Sequence, residues 1–107
     1  MKPEIVFAVY RPHPGKLDDL KKILKDHVPT LRRVGLATSR REVLVQSSDG
    51  AIVEVFEWIS HEAAELAHEH PVVAKIWEAM GQVCGFTSLD QLPESKRPFT
   101  HFVPVEL

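Results

Sequence analysis

The stretch AIVEVFEWISHEAAELAHEHPVVAKIWEAM, residues 51–80, contains a complete passage from strand to helix and decides the fold. Its first nine residues are mostly β-branched, aromatic or otherwise apolar, which is typical of a β-strand. Ser60 stands where it can cap a helix, and Glu62 and Glu65 follow near the positive end of that helix. Pro71 is tolerated in the first turn of a helix, so we expect the helix to break there and a second segment to begin. The apolar residues of that second segment recur with helical period: Val72, Val73, Ile76, Trp77, Met80, Val83 and Cys84.

The flanking sequence predicts one more helix and three more strands. EIVFAVY (4–10) has the apolar character of a strand, and KLDDLKKILKDHVPTLRRVG (16–35) carries an apolar stripe at helical spacing. Pro29 is expected to kink or restart this helix, and Gly35 to end it. The further strands are LATSRREVLVQ (36–46), joined to the strand of 51–59 by a hairpin at Asp49-Gly50, and FTHFVPV (99–105); Gly85 is expected to end the last helical segment.

The predicted element order is strand, helix, strand, strand, helix, strand. Two such halves make a ferredoxin-like βαββαβ domain of the α+β class over residues 1–107, with a four-stranded antiparallel sheet and both helices on one face. Within the third strand, Val53, Val55 and Ile59 point to one face, while Ile52, Phe56 and Trp58 point to the other. Because the helices cover only one face, the apolar residues on the other face predict a homodimer.

The composition excludes several classes of protein. Hydrophobic residues make up 44% and charged residues 26%, which is typical of a soluble globular protein. Thirteen basic and fifteen acidic residues give a net charge of −2, and the basic residues form no run longer than a pair, so we expect no nucleic-acid partner. No apolar run is long enough for a membrane span. A single cysteine and the lack of a signal-peptide pattern favour the cytoplasm.

Two stretches resemble the antibiotic-biosynthesis-monooxygenase-like proteins of the dimeric α+β barrel superfamily. VYRPHPGKLDDLKKIL (9–24) resembles the strand, turn and helix that open those proteins. EVFEWISHEAAELAHEHPVVAKIWEAM (54–80) resembles their third strand and split second helix. The residues that match the family pattern in the second stretch are Trp58, Ser60, Glu62, Ala63, and His68 or His70 with Pro71.

The resemblance implies a dimeric barrel but leaves the reaction open, because this fold hosts many activities. In the resembling monooxygenases the substrate itself reduces oxygen, so the resemblance implies no metal and no organic cofactor. The haem-degrading members carry a tryptophan nine positions after the strand-end tryptophan and an iron-binding histidine ten positions later. Counted from Trp58, those positions hold Ala67 and Trp77, so we do not expect haem degradation.

The histidines of residues 61–70 raise the question of a metal site. His61, Glu65 and His68 share one helix face, but this spacing is not the HExxH pattern, and a third or fourth ligand is missing. We therefore predict a solvated helix face without a metal. The resemblance places a histidine near a pocket mouth, which makes His68 a candidate for proton transfer. His70 is expected to cap the helix that begins at Pro71.

Two glutamates interrupt the apolar strand of residues 51–59. A buried carboxylate is unfavourable unless it is paired, so we expect Glu54 or Glu57 to meet Arg11, Arg40 or Arg41. The alternative is that Glu54 is a general base in a pocket.

The aromatic residues either belong to the plain hydrophobic core or line a cavity for a flat, apolar molecule. Its candidate ligand-binding residues are Tyr10, which has a hydroxyl to orient a ligand, and Trp58 and Trp77, which would form walls between sheet and helices; Phe7, Phe56 and Phe102 are further candidates. Two functions follow: a cofactor-independent monooxygenase that uses His68 and Glu54 for proton transfer on a small apolar or aromatic molecule, or a non-catalytic ligand-binding or stress-associated dimer.

Overall fold

The computed structural model describes residues 2–107, which form five strands, three α-helices and two short 3₁₀ turns. The 3₁₀ turns are Leu89–Gln91 and Pro93–Lys96. In chain order the strands and α-helices are β1 (Glu4–Pro12), α1 (Leu17–Arg33), β2 (Val43–Gln46), β3 (Ile52–Trp58), α2 (His61–Glu69), α3 (Pro71–Val83), β4 (Cys84–Thr87) and β5 (Val103–Pro104).

The sheet has the strand order β4–β1–β3–β2–β5, and every neighbouring pair is antiparallel. The first four of these strands have the ferredoxin-like arrangement that the sequence predicts, so the α+β class is confirmed. The predicted count of four strands is wrong. The strand beside β1 is Cys84–Thr87, whereas the predicted last strand, 99–105, contributes only Val103–Pro104 at the opposite edge.

The sequence did not predict β4, because the first residue of this strand fits the helical spacing of the preceding segment. Val83 and Cys84 continue the 3.6-residue period of α3, but α3 ends at Val83 and Cys84 is extended, with φ −152° and ψ 160°. From Cys84 onward the chain pairs with β1, where Tyr10 lies opposite Phe86 and Arg11 opposite Gly85. Pairing with a strand that is distant in sequence therefore outweighs the local helical pattern.

The helix boundaries follow from local chemistry. α1 continues through Pro29, and Gly35 beyond its end has φ +81°, a left-handed conformation that favours glycine. The Ser60 hydroxyl accepts a hydrogen bond from the Ala63 N–H at 3.1 Å, which caps α2. His70 Nδ1 accepts from the Val72 N–H at 3.2 Å. The break at Pro71 and the capping roles of Ser60 and His70 are thus confirmed.

The two faces of the sheet are covered differently. The helices cover one face, where Leu24, Val28 and Leu31 of α1 pack against residues from the strands, α2 and α3. On the opposite face, Leu92 from the C-terminal segment packs with Val9, Ala51 and Val53, and Phe102 lies against them. This cover is partial, because Ile5, Phe7 and Val43 remain 46–54% exposed. We call these three residues the open sheet face.

Among residues 2–107, none of the helices has both the length and the apolar character needed to cross a bilayer.

Candidate functional site

A pocket of about 380 Å³ lies between the helices and the sheet. This volume is within the range of roughly 300–1,000 Å³ that is typical of small-molecule sites. The walls come from β1, β3, α1, α2, α3 and β4, and the lining residues are Val6, Ala8, Tyr10, His27, Phe56, Trp58, His68, Trp77, Met80 and Phe86. The pocket is therefore largely apolar, with a few polar groups.

Four side chains on one side of the pocket form a continuous hydrogen-bonded chain. Trp77 Nε1–H donates to His27 Nε2 at 2.9 Å. His27 Nδ1 and Glu54 Oε1 are 2.8 Å apart, and the Tyr10 hydroxyl donates to the same carboxylate oxygen at 2.8 Å. We call these four residues, Trp77, His27, Glu54 and Tyr10, the polar chain.

The hydrogen bonds of the polar chain determine which ring nitrogen of His27 carries the hydrogen. An indole N–H is only a donor, so His27 Nε2 must accept and carries no hydrogen. A neutral His27 then has its hydrogen on Nδ1 and donates it to Glu54 Oε1. Both ring nitrogens of His27 are thereby occupied.

Glu54 is fully buried, yet only one of its two carboxylate oxygens accepts hydrogen bonds. Its exposed fraction is 0%, Oε1 accepts two hydrogen bonds, and Oε2 has no hydrogen-bond partner in the described part of the chain. No lysine or arginine of residues 2–107 forms an ion pair with it, and the basic side chain in contact with it is the His27 ring. A buried carboxylate in such surroundings is unfavourable for folding, which marks Glu54 as unusual.

Strand register explains why Glu54 fits. Ala8 lies directly opposite Glu54 on β1, and its small side chain leaves room for the carboxylate. Tyr10 is two residues further along β1 on the same face, a diagonal position from which a long side chain reaches its cross-strand neighbour. The helix side supplies His27, which is 2% exposed.

Tyr10 remains protonated in this site. Burial raises the pKa of its hydroxyl strongly, and the neighbouring Glu54 carboxylate raises it further by charge repulsion and by accepting its hydrogen bond. Tyr10 is therefore a neutral hydrogen-bond donor to Glu54 over the whole ordinary pH range.

The candidate residues from the sequence occupy different parts of the site. Tyr10, Trp58 and Trp77 are on the pocket wall, as is His68, which is exposed and has its ring centroid 4.8 Å from that of Trp77. Glu54 is not on the wall but lies behind Tyr10 and His27, to which it is bonded.

His27 is the residue that the sequence reading missed. Leu20, Leu24 and Leu31 of α1 are buried. His27 lies seven residues after Leu20, three after Leu24 and four before Leu31, so it is on the same helix face as these leucines. A histidine within an apolar helical stripe was the available signal. Val6, Ala8, Met80 and Phe86 of the wall were missed as well, since only the register of β1 with β3 and β4 brings them together.

The expectation that Phe7 and Phe102 line the cavity needs correction, whereas the expected ion pair of a glutamate with an arginine is present. Phe7 and Phe102 do not line the pocket: Phe7 is 54% exposed on the open sheet face, and Phe102 packs against the cluster on that same side of the sheet. Odd-numbered residues of β1 point away from the helices, and this parity excludes Phe7. Glu57 pairs with Arg40 at 3.0 Å, as expected for one of the two glutamates, whereas Glu54 bonds to His27 and Tyr10 instead of an arginine.

The histidines of α2 do not converge with other ligands. His61 Nδ1 lies 3.0 Å from Glu4 Oε1, and its Nε2 lies 3.7 Å from Glu65 Oε1, with all three side chains at least half exposed. Within residues 2–107 no three histidine, cysteine, aspartate or glutamate side chains are grouped so that they could hold a metal ion.

Comparison by sequence gives no match to a family model and none to a curated protein. Comparison by structure does give matches. Rv0793 from Mycobacterium tuberculosis has a TM-score of 0.63 and 21% identity, covering 80% of this chain and 91% of that chain. SO0527 from Shewanella oneidensis has a TM-score of 0.60 and 18% identity, with the same coverage. Tetracenomycin F2 cyclase from Streptomyces glaucescens, a type-II polyketide cyclase, has a TM-score of 0.58 and 20% identity, covering 81% of this chain and 82% of that chain. The chain therefore shares its α+β fold with these three proteins.

Proposed function

We propose that the pocket binds a small apolar or aromatic molecule and that the chain acts on it as a monooxygenase-like enzyme that uses no cofactor. The observation that carries the proposal is the polar chain beside an otherwise apolar pocket. A half-satisfied carboxylate that is 0% exposed weakens the fold, and proteins keep such groups mainly where function uses them. The pocket supplies the space next to it.

Proton transfer is the chemistry that this arrangement supports. Glu54 is the proton acceptor, and it is reached from the pocket through the Tyr10 hydroxyl that is bonded to it. An electron-rich substrate that has lost a proton is the reductant for molecular oxygen. His68 lies at the exposed side of the pocket against Trp77 and exchanges protons with solvent.

The pocket walls favour a ring system as the substrate. Trp58 and Trp77 are the two tryptophans of the chain, and both line the pocket with Phe56 and Phe86. Aromatic walls bind flat apolar molecules through large contact areas and edge-to-face contacts. The occurrence of a type-II polyketide cyclase on the same fold is in keeping with this substrate class.

Binding is tested with N-phenyl-1-naphthylamine, a neutral probe whose fluorescence rises in apolar surroundings. We expect saturable binding to the native chain. Val6→Trp fills part of the pocket with a further indole ring and should weaken binding by roughly tenfold or more. The matched control is Val72→Trp, because Val72 is 47% exposed on α3 and is not part of the pocket lining. Equal affinity in both variants contradicts the pocket as the binding site.

Catalysis is tested by oxygen uptake with a hydroxynaphthalene in air. Glu54→Gln should lower the rate by roughly 10²–10⁴-fold, as expected for loss of a general base. His68→Ala should lower the rate by a smaller factor and leave the melting temperature nearly unchanged, since an exposed helix position tolerates truncation. The control is Glu69→Ala, an exposed neighbour on α2. Uptake that is the same in all variants contradicts the enzymatic role.

A second function, non-catalytic ligand binding, is favoured by one specific observation. Trp77 Nε1, both nitrogens of His27 and Glu54 Oε1 are already engaged with one another. Such a network is also suited to holding α1, α3 and the sheet together around a pocket that only stores a ligand. Saturable binding of the probe without any oxygen uptake is the outcome that favours this function.

We further propose that the chain is a homodimer that joins through the open sheet face. Phe7 on β1 and Val43 on β2 both lie opposite Val55 of β3, so they form a continuous apolar row across three strands. Phe7 and Val43 are each 54% exposed. Packing this row against the same row of a second copy removes the exposed apolar surface of both chains from water.

A further inference from the structure

Two residues of the pocket wall are bonded to Glu54 Oε1, but only one of them keeps a free acceptor. His27 receives Trp77 Nε1–H on Nε2 and gives its Nδ1 hydrogen to Glu54, so its ring has nothing left to offer. The Tyr10 hydroxyl uses its single hydrogen on Glu54 and retains oxygen lone pairs. A ligand that donates a hydrogen bond is therefore accepted by Tyr10 rather than by His27.

The charge next to the pocket wall is negative, because it comes from the Glu54 carboxylate. The ten lining residues include no lysine and no arginine. Glu54 lies directly behind this wall and has no lysine or arginine partner in residues 2–107. A carboxylate in low-dielectric surroundings repels a second anion much more strongly than it would in water.

We propose that the pocket selects neutral aromatic molecules that carry a hydroxyl group, and that it discriminates against both their methyl ethers and aromatic carboxylates. The ligand hydroxyl donates to Tyr10 Oη, which donates in turn to Glu54 Oε1. This selectivity rests on the proposed function, because it names the substrate class for the same pocket.

The same two hydrogen bonds form a path for one proton. When the ligand O–H bond breaks, its electron pair stays on the ligand oxygen and the proton bonds to Tyr10 Oη. The original hydrogen of Tyr10 moves at the same time to Glu54 Oε1. The negative charge thus passes from Glu54 to the ligand, the total charge of the site stays constant, and no tyrosinate accumulates, in keeping with the strongly raised pKa of Tyr10.

The test compares three ligands with one ring system by isothermal titration calorimetry at neutral pH: 1-naphthol, 1-methoxynaphthalene and 1-naphthoate. We expect the ether to bind roughly five- to tenfold more weakly than the naphthol, which is the effect of one lost hydrogen bond. The carboxylate should bind roughly a hundredfold more weakly, because it brings a second negative charge to the site. Equal affinity for all three ligands overturns this inference but leaves the proposed pocket intact, whereas no binding of any of them overturns the proposed function and this inference with it.

Two variants separate the hydroxyl effect from the charge effect. Tyr10→Phe keeps the ring and should make the naphthol and its ether bind equally, within about twofold. Glu54→Gln keeps an oxygen to accept from Tyr10 and His27 but removes the charge, so naphthoate should gain roughly tenfold in affinity while the naphthol still binds better than the ether. Thermal melting verifies that each variant is folded. A preference for naphthol that survives in Tyr10→Phe, or exclusion of naphthoate that survives in Glu54→Gln, overturns the inference.

Discussion

Glu54 owes its position to three residues that are distant in sequence. Ala8 leaves space across the strand pair, Tyr10 reaches it diagonally from β1, and His27 reaches it from α1. Each donor to Oε1 offsets part of the unfavourable free energy of burying the carboxylate. The stability of this one side chain therefore depends on the packing of α1 against the sheet.

The His27→Leu substitution tests this dependence. It removes one donor from Glu54 and leaves Trp77 Nε1–H without its acceptor, so we expect the free energy of unfolding to fall by about 3 kcal/mol. Urea denaturation measures the change. The matched control is His13→Leu, at an exposed position, which should alter stability by less than about 0.5 kcal/mol. Similar effects of the two substitutions would show that the polar chain does not stabilise the fold.

The α2 helix places His68 beside the pocket, and a side-chain cap stands at its start and at the start of the helix that follows it. Ser60 caps its start, and His70 at its end caps the start of α3. Because α2 has only nine residues, it has little stability of its own and depends on such contacts.

Ser60→Ala should therefore destabilise the chain by about 1 kcal/mol, the usual effect of losing an N-cap hydrogen bond. Ser88→Ala is the control, because Ser88 precedes a 3₁₀ turn without capping a backbone N–H. The two variants are compared by chemical denaturation. A loss of stability in Ser88→Ala as large as that in Ser60→Ala would rule out capping as the cause.

The first residue of α2 also links this helix to β1 in a pH-dependent way. The hydrogen bond from His61 to Glu4, followed by the charges of Glu4 and Glu65, raises the pKa of His61 above its ordinary value of 6.5. A raised pKa stabilises the folded state fully below the unfolded pKa, and this contribution is lost as the pH rises through the folded pKa.

The difference in melting temperature between native protein and His61→Gln should accordingly be present at about pH 5.5 and vanish at about pH 9. Thermal melts across this range measure it, and His101→Gln, at an exposed position, serves as the control. A difference that grows with rising pH would contradict the assignment.

On the scale of the whole molecule, the sheet separates two functions. Even-numbered residues of β1 and β3 face the helices and supply the strand side of the pocket. Odd-numbered residues of these strands point to the opposite side, where Ile5 and Phe7 belong to the open sheet face. Alternation along a strand makes these two surfaces independent of each other. A substitution on one face should therefore leave the other face intact.

Phe7→Lys tests both the proposed dimer and this independence. We expect the native chain to have the mass of two copies at micromolar concentration by light scattering, and Phe7→Lys to have the mass of one copy, because a charge in an apolar interface is strongly unfavourable. Binding of the fluorescent probe in the pocket should remain measurable. Leu66→Lys, at a 55% exposed position on α2, is the control and should remain dimeric. A native chain with the mass of one copy would contradict the dimer.

The sequence by itself determined the elements whose signals are local. The apolar strand of 51–59, the Ser60 cap, the break at Pro71 and the turn at Gly35 depend on neighbours within a few residues, and the element order then fixed the fold class. Trp58 and Trp77 could be placed on the inner side of the fold because helical and strand periods are readable from the sequence.

Only the tertiary structure decided the remainder, because it depends on contacts between distant segments. Cys84 belongs by its spacing to the helical stripe that Gly85 was expected to end, and Cys84–Thr87 becomes a strand only through pairing with β1. In the sequence His27 is a polar residue within an apolar stripe. Its role depends on its hydrogen bonds with Glu54 and Trp77, which are 27 and 50 residues away. The spacing of apolar residues along one element predicts which face of that element is buried. The partner of a buried polar group depends instead on strand register and helix packing, which the spacing along one element does not predict.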